Sequence, residues 1–147
     1  MSIKPVFINL LKIRLPLSAF MSITHRVSGV ALFLLVIPVS LFIFTHLVTS
    51  EASYFGFLAF FESNFIFRTF VLFCILIFQY HMFAGLRHLL HDFHLVPETL
   101  KSSNVSSQIA LILFLINGLL TASVLLWNLE DSYGRCKDTL LCIFYFL

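Results

Sequence analysis

Three apolar runs of membrane-spanning length limit what this chain can become: residues 27–47, 65–90 and 108–127. Roughly 20 apolar residues carry a helix across a ~30 Å hydrocarbon core. A backbone in that medium must satisfy its own hydrogen bonds, which over runs this long leaves helices. The composition agrees: of 147 residues, 60% are hydrophobic and 11% are charged, far too few polar groups to cover a soluble domain of this size. The expected fold class is therefore all-α, with three transmembrane helices in an antiparallel up-down bundle. One transmembrane domain is expected over residues 1–128, with a C-terminal tail, 129–147, to which no role is assigned. The net charge of +2 and the lack of a basic, aromatic-interleaved patch speak against nucleic acid. The bilayer is the expected partner.

Local signals refine the spans. Pro38 lies inside the first, where membrane helices tolerate a kink. Pro97 requires the second to stop before it. Residues 48–64 and 91–107 read as loops. The N-terminal segment carries Lys4, Lys12 and Arg14 with Pro5 and Pro16. It resembles a signal peptide only in its basic start: the apolar run that follows is too long, and no small-x-small cleavage site follows it. It is expected to lie at the interface and lead into the first span. Three spans put Lys4, Lys12, Arg14, Arg26, Arg87 and Lys101 on one side and Arg68, Arg135 and Lys137 on the other. The positive-inside rule then places the N-terminus inside: the cytoplasm of a bacterium, or alternatively the mitochondrial matrix.

The second span carries the chemistry. At roughly 100° per residue, His81, Gly85, His88 and Asp92 share one stripe. His81 stands eleven residues before Asp92, roughly 16 Å along the helix and so near mid-membrane. Ionisable groups at that depth are costly and mark function by default. Gly85 lets something flat approach the backbone beside the imidazole. Two readings fit: a buried histidine bonded to a neighbouring helix, or the axial ligand of a haem iron. No other histidine is expected at that depth, so a six-coordinate iron would take its second ligand from another polypeptide. At the start of the first span, Ser22, His25, Arg26 and Gly29 recur at i, i+3, i+4 and i+7 and share a face. That face offers a hydroxyl, an imidazole, a fixed positive charge and a close-approach gap. It suits an anion or a carbonyl; haem propionates pointing inward would meet His25, Arg26 and either His88 or Arg87. The cysteines, Cys74, Cys136 and Cys142, match no zinc or iron–sulfur spacing. A bridge between the last two is open if the tail faces an oxidising compartment. No nucleotide-binding or hydrolase motif occurs.

Ser22-x-x-His25-Arg26-x-Ser28-Gly29 on the first span and His81-x3-Gly85-x-Arg87-His88-x3-Asp92 on the second, together with three spans, resemble the cytochrome b membrane-anchor subunit of succinate dehydrogenase. The resemblance covers roughly residues 5–127; the segment from about Leu129 onward has no counterpart in it. It implies a bundle completed by a second membrane-anchor subunit, with a b-type haem between the two and one histidine from each. It implies that His81 is this chain's iron ligand, that His25, Arg26 and His88 meet the propionates, and that Ser22 and Arg26 hold ubiquinone. Gly29 and Gly85 are the close-approach glycines. An iron–sulfur subunit and a flavoprotein subunit would carry the succinate chemistry of the tricarboxylic acid cycle, leaving no complete active site in this chain. A fumarate reductase anchor, oxidising quinol, is the same chemistry reversed. A proton-conducting transporter subunit is the alternative from another class, but none of the three spans buries an Asp or Glu.

Overall fold

The computed structural model describes residues 15–97 and 99–137, of which 127–137 are described by backbone alone. The basic segment with Lys4, Lys12 and Arg14, the side chains of Trp127, Arg135, Cys136 and Lys137, and Cys142 in the tail lie outside that description. The described chain is helical: α1 (Leu17–Ala31), a π-helical turn (Leu32–Val36), α2 (Ile37–Thr49), α3 (Glu51–Ser63), α4 (Phe65–Asp92) and α5 (Leu100–Lys137). Among the described residues, three stretches are long and apolar enough to cross a membrane: Leu17–Thr49, Phe65–Asp92 and Leu100–Leu126.

The first span starts ten residues earlier than the hydropathy suggested. Pro16 supplies no side-chain cap. Its place is taken across the bundle by Asn104, whose Oδ1 accepts the Ser18 N–H at 3.2 Å, satisfying a donor that an uncapped helix start leaves orphaned. The π turn explains how the span passes Pro38. In an α ladder the pyrrolidine would clash with the Leu34 carbonyl and leave it without a donor. The wider turn just before it shifts the register, and the Ile37 N–H bonds Leu32 O instead.

Residues 48–64 are not a loop, as expected from their polar ends, but mostly the helix α3. Ser50 accepts the Ser53 N–H at 3.1 Å at its start. Ser53 Oγ in turn donates to His46 O at 2.9 Å, tying α3 back to α2. At the far end Asn64 accepts the Phe67 N–H at 3.0 Å and starts α4. Arg68, 3% exposed, turns its guanidinium to the last carbonyls of α3, donating to Phe61 O and Glu62 O. A cation over C-terminal carbonyls is favourable there.

The second connection also contracts. α4 stops at Asp92, the chain turns through His94 at φ 55, and Pro97 follows. α5 then begins at Leu100 rather than 108 and runs on to Lys137, past the expected end of the domain at 128. The Ser/Asn cluster that reads as loop forms its first turns. Ser106 and Ser107 donate to Ser103 O at 3.0 and 2.8 Å, so their hydroxyls do not compete for helical N–H groups.

The directions alternate. Ser18 near the start of α1 meets Asn104 near the start of α5, whereas Arg87 near the end of α4 meets Ser103 and Ser106. This is the up-down-up arrangement expected. The common core is small: Met21, Ala84 and Ala110, one from each span, with Tyr80 and Leu111 against them. α4 is the central element, with 22% of its most apolar window buried against 6% in each neighbour.

Candidate functional site between the first two spans

α1 and α4 run antiparallel, and each carries the pattern His-x3-Gly: His25 and Gly29, His81 and Gly85. The antiparallel register makes the two complementary. A Cβ placed on Gly85 would lie 3.2 Å from His25 Nε2, and one on Gly29 would lie 3.1 Å from His81 Cε1. Each imidazole therefore sits in the gap that the other helix's glycine leaves. The rings stack, with centroids 4.2 Å apart and planes 20° apart. His88, two turns further along α4, tilts toward His25 at 5.1 Å.

This corrects one expectation and refines another. His25 reaches the level of His81, because its helix begins at Leu17 and carries it two turns in. The flat group against Gly85 is this imidazole of the same chain.

The His81 ring is held from one side. Its Nδ1 lies 2.9 Å from Ser28 Oγ and 3.2 Å from His25 O. None of its hydrogen bonds within the described residues goes through Nε2. Next to it Thr24 and Tyr80 share a hydroxyl–hydroxyl bond, locking the same pair of helices. His25, His81 and His88 are half-buried, Ser28 is buried, and Arg26 is exposed. Arg87, His91 and Asp92 flank His88 in the last turns of α4, and this end of the seam is its polar mouth. Ser22 is half-buried on the same face of α1, one turn before Arg26.

Arg87, considered for an anion at this mouth, is engaged elsewhere. It is 5% exposed and faces α5, where it donates to Ser106 Oγ at 3.2 Å, Ser103 Oγ at 2.7 Å and Ser103 O at 3.2 Å. His91 Nε2 lies 2.9 Å from the same Ser106 oxygen. Sequence inspection missed this cluster because the serines read as loop.

No group of three or more His, Cys, Asp or Glu able to hold a metal ion occurs among the described residues. A groove of about 500 Å³ lies further along, lined by Val36, Ser40, Phe44, Cys74 and Phe78 among others. No member of the His–Gly stripe lines it.

The sequence model of the succinate dehydrogenase/fumarate reductase transmembrane subunit family matches residues 2–122. The chain belongs to that family. It is a multi-pass membrane subunit of a redox enzyme complex, and it has the three-span architecture that its sequence led us to expect. The match spans both His-x3-Gly motifs and all of α1 to α4. Family membership also sets aside the proton-transporter alternative.

Proposed function

We propose that this chain is the cytochrome b anchor of a succinate:quinone oxidoreductase, carrying half of a haem b site and part of a ubiquinone site. The observation that carries this reading is the state of His81. The bond to a neighbouring helix that a structural histidine would make is present, but it uses Nδ1 alone. Nε2, the nitrogen an iron would need, makes no hydrogen bond among the described residues, and the ring is half-buried at mid-helix. The donor set fits: one imidazole presented from this chain, with its second ring nitrogen anchored, as metal-bound histidines generally are.

Haem, when bound, supplies a one-electron redox centre. The rest falls to this chain's residues. His81 would hold the iron from the α1–α4 seam, and a second membrane-anchor subunit would supply the other protein ligand. Gly29 and Gly85 keep the two helices close enough for the seam to form. Arg26 and His88, at the polar mouth, would meet the anionic propionates, together with His25, whose ring lies deeper, at the level of His81. Ser22 and Arg26 lie one turn apart on α1. The hydroxyl donates to a quinone carbonyl, and the guanidinium stabilises the negative charge that develops on its oxygen as electrons arrive. Electrons come from a flavoprotein through an iron–sulfur subunit, both bound on the inner side. The N-terminus lies on that side, by the balance of Lys and Arg, in a bacterial inner membrane. Succinate oxidation in the tricarboxylic acid cycle is the direction we assign.

The test is a reduced-minus-oxidised visible spectrum of the purified membrane complex containing this chain. The parent complex is expected to show a low-spin b-type signal that His81→Ala abolishes or converts to high spin. An unchanged spectrum in His81→Ala would overturn the assignment.

A further inference from the structure

We infer that Ser28 is a positioning residue for His81: it selects the ring tautomer and tunes the iron that His81 is proposed to bind. The inference rests on the haem reading above and adds a residue to it.

The proton count on Ser28 decides the tautomer. A serine hydroxyl has one hydrogen to donate. At 2.7 Å from His25 O, which can only accept, that hydrogen is committed to the carbonyl. The Ser28 oxygen can therefore meet His81 Nδ1, 2.9 Å away, only as an acceptor. The second neighbour of Nδ1 is again His25 O, at 3.2 Å, also an acceptor. Both contacts require a proton on Nδ1. A neutral imidazole protonated there carries its lone pair on Nε2, the nitrogen without a hydrogen bond among the described residues. Ser28 is 8% exposed, so water does not readily replace it. Its position on α1, one residue before Gly29, places the acceptor beside the gap that receives the ring. The ring is thus gripped on two sides: its Cε1 edge packs at Gly29 and its Nδ1–H bonds to Ser28.

An acceptor on the far nitrogen raises the basicity of a ligating imidazole and favours the more highly charged iron. Removing the nearer acceptor leaves only the longer contact to His25 O. The haem midpoint should then rise, and the ring should lose its fixed orientation.

The experiment is a redox titration of the haem with low-temperature electron paramagnetic resonance, on the assembled complex with Ser28→Ala and Ser28→Thr. Ser28→Ala is expected to retain haem, shift the midpoint upward and broaden the low-spin signal. Ser28→Thr restores the hydroxyl and is expected to return both toward the parent values. A parent-like midpoint and signal in a haem-loaded Ser28→Ala complex would overturn the role of Ser28. So would an equal shift in Ser28→Thr, which would point to packing rather than the hydroxyl. If the parent complex holds no low-spin haem, or His81→Ala keeps it unchanged, the underlying haem reading fails instead.

Discussion

The two faces of α4 carry similar residue types and use them in opposite ways. Toward α5, Arg87 and His91 meet Ser103 and Ser106 in a closed set of hydrogen bonds. Toward α1, His81 is bonded through one nitrogen among the described residues and His88 tilts against the His25 ring, while Arg26 across the seam is exposed. A buried polar group whose valences are all used inside the chain stabilises the bundle. An ionisable side chain at mid-span with a ring nitrogen left over is poised to bind something. On the haem reading proposed above, the difference separates structural from functional polarity along a single helix.

Substitutions on either face can break or sharpen that contrast. The largest effect is expected from Gly85→Leu. Its side chain enters the space of the His25 ring, already 3.2 Å from where a Cβ would stand. Thermal unfolding in detergent should show a loss of roughly 1–3 kcal/mol or more, and the visible haem signal should go with it. Stability lost with the signal intact would mean the seam is structural only. Arg87→Ala comes next. It removes the three donated bonds that tie α4 to Ser103 and Ser106, at a cost of roughly 1–3 kcal/mol, but the haem spectrum is expected to stay at parental intensity in the fraction that assembles. A bleached spectrum at unchanged stability would erase the distinction between the faces. The smallest effect belongs to Gln79→Leu, also on the α5 face. Gln79 Nε2 donates to Thr121 at 2.7 Å, but its Oε1 is buried without a partner among the described residues. Thr121 keeps its own bond to Asn117 O, so the swap should change stability by no more than roughly 0.6 kcal/mol, measured by the same unfolding assay.

Much of the architecture was legible in the chain itself. The spans follow from hydropathy, Pro97 marks the second stop, and the stripe of His81, Gly85, His88 and Asp92 follows from helix period. The errors have physical causes. Residues 48–64 looked like a loop because Glu51, Glu62 and Asn64 are polar, yet Ser50 and Asn64 are helix caps, and α3 fills the stretch between them. Residues 100–107 looked like a loop because serines disfavour helices in isolation. Arg87 and the backbone carbonyls absorb those hydroxyls, and the helix starts early. The early start of α1 depends on Asn104, a cap from the far end of the chain that no local window contains.

Sequence alone determined the medium, the number of crossings and which residues share a face, because hydrocarbon forces helices and a helix fixes angles between neighbours in the chain. Which face meets which, and at what height, was left to the tertiary structure. The pairing of His25 with Gly85 and of His81 with Gly29, and the commitment of Arg87 to α5, depend on the register between helices. That register is set by contacts between residues more than fifteen positions apart, and the period of a single helix says nothing about it.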